Sequence, residues 1–137
     1  MGLFDTVGSF GIPGNLINFG IRMDLPPNVK YAAHAIARDE RRSAFPLSPL
    51  NDPRPGQIFK QKVFKGDHSD IGGGHEEGNN LLSHEPLLYM WSQGLRADVP
   101  FGNIDLGERY KDDYTPHDLT KKLIYRDGGQ RDNLPKE

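Results

Sequence analysis

The densest group of chemically active side chains lies between Gly66 and His75, where two aspartates, two histidines and a serine occur within ten residues. His68 stands between Asp67 and Asp70, and three glycines follow. Histidine can transfer protons near neutral pH because its ordinary pKa lies close to that range. A neighbouring carboxylate can fix the tautomer and orientation of its ring. The ordinary alternative is a surface turn in which aspartate and glycine serve only backbone geometry, and both interpretations stay open on these residues alone.

The same segment offers ligands for a metal ion. Carboxylate oxygens and imidazole nitrogens are available within eleven residues, from Asp67, His68, Asp70, His75, Glu76 and Glu77. Their spacing matches neither an EF-hand loop nor a helical zinc motif with two histidines four apart. We therefore expect no metal and no other cofactor, and keep a metal site at Asp67–Glu77 as an alternative.

A further carboxylate of interest is Asp5, which directly follows the short apolar segment Gly2–Phe4. A side chain at the end of a strand would project from the sheet edge, although such an aspartate often binds local amides instead. A lipase-type nucleophile needs Gly-x-Ser-x-Gly on a strand-to-helix turn. Ser9 does not fit, because Val7 occupies the first glycine position and Pro13 follows too closely for a helix.

The elements that would position these groups alternate between strand and helix. Gly2–Phe4 is typical of a short strand, and the alternation at Ile58–Phe64 predicts another. Between them, Asn28 is expected to cap a helix over Val29–Arg38, whose alanines share one face, with His34 as a surface or packing residue. The charged run 38–42 is then a solvated helix end. Glycine and proline predict irregular structure over residues 8–28 and 41–56.

Beyond the glycine-rich segment, Ser83 is expected to cap a helix that ends near Leu95. Its apolar face would consist of Leu87, Leu88, Trp91 and Leu95. His84 and Glu85 lie in its first turn, where glutamate suits the helix dipole. A short amphipathic segment, 119–125, is the only other predicted element, and the end after residue 127 is expected to be mobile. The order strand, helix, strand, helix favours an α/β layer architecture.

Composition narrows the class of protein. The 137 residues are 35% apolar and include 16 glycines and 11 prolines, which suits one domain with a thin core. A net charge of −2 gives no basic footprint for nucleic acid. The absence of cysteine excludes disulfides and cysteine nucleophiles. With no signal-peptide pattern and no apolar run of membrane-spanning length, we expect a soluble chain made in the cytoplasm.

Several strings together resemble a bacterial and fungal domain family, originally of unknown function, that includes type VI secretion phospholipase effectors. The family carries a strand ending in Asp-Thr-Val-Gly-Ser, a helix closing in Asp-Glu-Arg-Arg before Phe-Pro, a Gly-x-His-Ser-Asp-Val-Gly-Gly-Gly string and a later helix. The order and spacing of these strings agree with the family over about residues 2–95. The strand end matches residues 5–9, the charged string 39–42 and the Phe-Pro pair 45–46. The glycine-rich string matches 66–74, with Ile71 in place of valine, and the later helix matches at 82–83 and 90–91.

The resemblance implies an α/β-hydrolase fold with a Ser-Asp-His triad. It assigns the acid to Asp5 and the base to His68, so these two residues should meet in the folded chain. Asp70 is expected to fix the loop through backbone bonds rather than to act in the chemistry. The supporting loop consists of Ser69, Asp70, Gly72, Gly73 and Gly74.

The family's Gly-x-Ser-x-Gly string would lie before Met1. We therefore expect residues 1–98 to be the C-terminal part of an α/β-hydrolase catalytic domain, a parallel sheet with flanking helices, and 99–137 a polar extension. Such a fragment is inactive alone unless another chain supplies the serine for a phospholipid or ester substrate. Exposed strand edges and apolar faces then favour self-association or a partner chain. The alternative is a non-catalytic binding or immunity-type module that engages a cognate protein or a metal ion at Asp67–Glu77. The resemblance also implies secretion as an effector.

Overall fold

The computed structural model describes residues 1–7, 24–43, 45–75, 80–102, 131 and 134–135. Three strands come first, β1 (Gly2–Phe4), β2 (Tyr31–Ala37) and β3 (Ile58–Phe64). They are followed by a short helix α1 (His68–Gly72), a 3-10 turn (Leu81–Ser83) and the longer helix α2 (His84–Arg96). The expected segment 119–125, most of the loop 8–28, Ser9, Glu76 and Glu77 lie outside the described residues.

The strands form one parallel sheet in the order β1-β2-β3. Gly2 pairs with Ala33 at one side of β2, and Tyr31 pairs with Ile58 at the other. The predicted strands at Gly2–Phe4 and Ile58–Phe64 are both confirmed with the expected bounds. The α/β class is confirmed as well, and three parallel strands with two helices are consistent with part of an α/β-hydrolase sheet.

The helix predicted over Val29–Arg38 is wrong, because Tyr31–Ala37 is the central strand of the sheet. All residues from 32 to 37 are buried. A parallel strand covered on both faces loses the polar–apolar alternation that marks a half-exposed strand. Its alanines then resemble a helix face. Ala35 and Ala37 lie in the core cluster against which Tyr89 and Met90 of α2 pack.

His34, expected on a helix surface, instead lies fully buried in the middle of β2. Its Nε2 accepts a hydrogen bond from the backbone N–H of Thr6 at 3.0 Å. This bond fixes the neutral ring with its proton on Nδ1, because an accepting nitrogen carries none. Burial lowers the pKa of His34 from 6.5 to about 4. His34 therefore ties the turn after β1 to the central strand.

The helix α2 begins one residue after Ser83, as expected, although the Ser83 hydroxyl makes no capping bond to the helix. Its apolar face differs in part from the prediction, since Leu87 and Leu95 are exposed. Beside the exposed Phe4, the sheet, α2 and the residues that follow it form an open, mainly apolar pocket of about 520 Å³, lined in part by Met90 and Trp91. Among the described residues, no helix combines the length and apolar character needed to cross a bilayer.

Buried His34 makes stability depend on pH. The unfolded chain takes up its proton near pH 6.5 and the folded chain only near pH 4, so the free energy of unfolding should fall as pH is lowered between these values. The fall attributable to this ring is about 3 kcal/mol. Urea unfolding between pH 7 and pH 4 should show this fall in the free energy of unfolding for the native chain. The His34→Gln variant should lack it. Equal slopes in both chains would contradict the buried, neutral state.

Candidate functional site

The carboxyl ends of the three strands meet at one edge of the sheet, and the side chains that could perform chemistry gather there. Asp5 directly follows β1, Glu40 follows β2 by three residues, and His68 follows β3 by four. In parallel sheets this edge is where functional side chains converge, because every strand ends there. The structure therefore brings together residues from three separate parts of the chain.

Asp5 turns the chain sharply at the end of β1. Its φ of 41° lies in the left-handed region, which few non-glycine residues adopt and which aspartate tolerates better than most. Its backbone N–H donates to the carbonyl of Ala35 at 2.7 Å, and its Oδ1 accepts from the N–H of Ala37 at 2.8 Å. The carboxylate is thus held beneath the end of β2, where none of it is exposed.

The Oδ2 of Asp5 lies 2.9 Å from the Nδ1 of His68, although 63 residues separate the two in sequence. The prediction that they meet is confirmed. Because a carboxylate only accepts, Nδ1 must carry the proton of a neutral His68 ring. The unprotonated nitrogen is then Nε2, on a side chain that is 30% exposed. This pair can accept a proton at Nε2 while Asp5 holds the ring orientation.

A residue that sequence analysis missed, Arg131, completes the surroundings of Asp5. Its Nη1 lies 2.5 Å from Oδ1 and its Nη2 lies 3.0 Å from Oδ2 of the carboxylate. Burial alone would raise the pKa of the Asp5 carboxyl, but the bonds from His68 and Arg131 outweigh burial and lower the pKa. Nothing in the local sequence marks Arg131, which lies in the segment expected to be a polar, partly mobile extension.

His68 is positioned first by the helix that it begins. Asp67 is the N-cap of α1 and forms a reciprocal pair with Asp70, whose N–H donates to Oδ1 of Asp67 while the N–H of Asp67 donates to Oδ2 of Asp70. The expectation that Asp70 fixes the loop through backbone bonds is confirmed. The expected loop is partly helical, however, because this capping box starts one turn of α-helix.

The glycines of this segment differ in what they do. Gly66 has φ of 120°, and a Cβ there would lie 2.6 Å from the Cβ of Asp70. Gly73 ends the helix in the left-handed conformation with φ of 74°, and both its N–H and that of Gly74 donate to the carbonyl of Ser69. Gly72 faces open space. Gly66 and Gly73 are therefore required by the backbone, and Gly72 is not.

His68 is also backed by residues of the segment 38–42, which was expected to be a solvated helix end. That expectation is wrong for Glu40 and Arg42, whose buried side chains pair at 2.6 Å. Oε2 of Glu40 accepts from the N–H of His68 at 3.1 Å. Arg42 lies over the Phe45 ring at 3.9 Å, and that ring contacts the His68 ring with centroids 5.1 Å apart. The contact of the Phe45 ring, tilted by 52° to the imidazole, thus restricts the orientation of the catalytic candidate.

Of the six candidate ligands of the alternative metal site, the structure describes four, and three of these come together. One possible ligand atom from each of Asp67, Asp70 and His75 lies within 4.8 Å of the other two. His68 faces Asp5 instead. Nε2 of His75 is 3.4 Å from one oxygen of each aspartate, so the histidine itself can serve as their partner. The three side chains therefore lie close together because Asp67 and Asp70 form the capping box of α1 and His75 contacts both of them.

Comparison with known proteins assigns a family to this arrangement. A family model described as the catalytic domain of Tle1-like phospholipase effectors of the type VI secretion system (T6SS) matches residues 1–93. The match covers most of the 137 residues, and the chain belongs to this family. The resemblance seen in the sequence is confirmed. Neither curated proteins nor solved structures gave a match.

The conformation of Gly66 gives a test of how His68 is held. In Gly66→Ala, the methyl group meets Asp70 and the backbone keeps an unfavourable φ, so the free energy of unfolding should fall by about 2 kcal/mol or more. The matched control Gly72→Ala places its methyl group in open space and should change stability by less than about 0.5 kcal/mol. Urea unfolding measures both, and equal effects would contradict this description of the turn.

Proposed function

We propose that this chain supplies the acid and the base of a serine-hydrolase site that acts on phospholipids or related carboxylic esters. The observation that carries the proposal is the 2.9 Å contact between His68 Nδ1 and a carboxylate, Asp5, that is fully buried. Membership of a phospholipase effector family supports the substrate class. The roles of Asp5 as the orienting acid and His68 as the proton-transferring base rest on this geometry and on the family.

The chemistry would proceed in two acyl-transfer steps. Nε2 of His68 takes the proton of a serine hydroxyl as that oxygen attacks the ester carbonyl, and the protonated ring then donates the proton to the leaving alcohol. Water attacks the acyl-serine in the second step, with His68 again taking and returning the proton. Asp5 keeps Nδ1 protonated and stabilises the positive ring that forms in each step. No metal ion is needed in this scheme.

The serine belongs, in this proposal, to a segment outside the 137 residues, since none of their serines stands in a Gly-x-Ser-x-Gly string. Residues 1–137 by themselves then lack the nucleophile, and a segment that carries that string completes the site. Exposed apolar side chains beside the pocket, among them Met1, Phe4 and Phe101, support contact with a partner or with acyl chains. Delivery as a secreted effector follows from the family and belongs to the same proposal.

The proposal is tested by measuring hydrolysis of short-chain phosphatidylcholine and p-nitrophenyl esters. The purified chain of residues 1–137 should show no turnover, and turnover should appear when a segment carrying the family's Gly-x-Ser-x-Gly string is supplied with it. Asp5→Asn and His68→Gln should each lower kcat/KM of the mixture by at least about a thousandfold, because both groups act in the same proton transfer. Release of fatty acid gives the rate for phospholipid.

The matched control is His84→Gln, which changes a histidine at the start of α2 and should leave the rate unchanged. Turnover by the chain alone that Ser9→Ala abolishes would show that the nucleophile lies within these 137 residues. A mixture whose rate survives His68→Gln, or that never becomes active, would refute the assigned roles.

A further inference from the structure

Arg131 makes four hydrogen bonds within the site. Besides the two to Asp5, its Nη1 donates to the carbonyl of Ala37 and its Nη2 to the carbonyl of Phe45, each at 2.9 Å. Its side chain is only 6% exposed. One guanidinium group therefore joins the turn after β1, the end of β2 and the loop that follows.

These bonds complete the hydrogen bonding of the Asp5 carboxylate. An ionised carboxylate offers about four acceptor positions on its two oxygens. Oδ1 accepts from the N–H of Ala37 and from Arg131, and Oδ2 accepts from His68 and from Arg131. Each oxygen thus has one donor from Arg131 and one other donor. The bidentate guanidinium leaves Asp5 a single orientation, in which Oδ2 faces the histidine.

The same guanidinium also reaches the ring that backs His68. The carbonyl of Phe45 is bound by Nη2, and the Phe45 ring contacts the His68 ring. Arg131 therefore contacts both residues that touch the imidazole, Asp5 at Nδ1 and Phe45 beside the ring. Leu134 and Pro135, the next described residues, are themselves half-buried.

We propose that Arg131 is a positioning residue of the Asp5–His68 pair. It holds the carboxylate of Asp5 in the orientation that fixes the proton of the neutral His68 ring on Nδ1. This inference rests on the proposed function, because it concerns the same acid and base. Lysine could not replace it fully, since a single ammonium group does not match both carboxylate oxygens.

The test is the tautomer of neutral His68, read from the nitrogen chemical shifts of its ring by NMR on the full chain. In the native chain Nδ1–H should be the major form. In Arg131→Gln the ratio of Nδ1–H to Nε2–H should fall roughly tenfold, the effect expected when a charge-assisted hydrogen bond network is broken. Arg131→Lys should give a smaller fall. Arg54→Gln, which changes an exposed arginine, should leave the ratio unchanged.

Each outcome separates this inference from the proposed function. A native ratio in a folded Arg131→Gln chain would overturn the role of Arg131 and leave the Asp5–His68 pair intact. If that variant does not fold, Arg131→Lys decides by the same measurement, and a native ratio there overturns the inference. A native chain in which Nε2–H predominates would instead refute the pairing on which the proposed function depends.

Discussion

The arrangement of the site depends on the need to satisfy the buried negative charge of Asp5. A carboxylate removed from water must find donors or a positive partner, because otherwise it loses several kcal/mol of hydration or takes up a proton. Here the donors come from Ala37, His68 and Arg131, which belong to the central strand, the short helix and the C-terminal segment. Satisfying one charge thus joins three distant parts of the chain, and removing one partner of such a buried pair typically costs about 3–5 kcal/mol.

A second buried pair, Glu40 and Arg42, also positions His68. Glu40 accepts the N–H of His68, and Arg42 reaches the same histidine through the Phe45 ring. His68 is therefore held through its backbone N–H, its Nδ1 and the contact of its ring with Phe45, while Nε2 carries no such restraint among the described residues. A proton-transferring base needs this combination of fixed orientation and one accessible nitrogen.

The sequence predicts the parts of the site that depend on local pattern, and misses those that depend on distant packing. Asp5, His68 and the bounds of β1 and β3 follow from strand ends, turn glycines and a family motif. The central strand was mistaken for a helix because burial on both faces replaces alternation with alanines. Arg131 has no local signal, since its role arises from a contact across 126 residues. Glu40 and Arg42 resembled solvated charges because their burial is tertiary.

The central claim is that Asp5 and His68 form one energetically coupled unit. A double-mutant cycle on the free energy of unfolding, with Asp5→Asn, His68→Gln and the two combined, measures that coupling directly by urea denaturation near pH 7. The 2.9 Å contact at a buried carboxylate predicts a coupling energy of at least about 1 kcal/mol. Effects that add to within about 0.3 kcal/mol would contradict the claim, because residues that touch in one hydrogen-bond network do not behave independently.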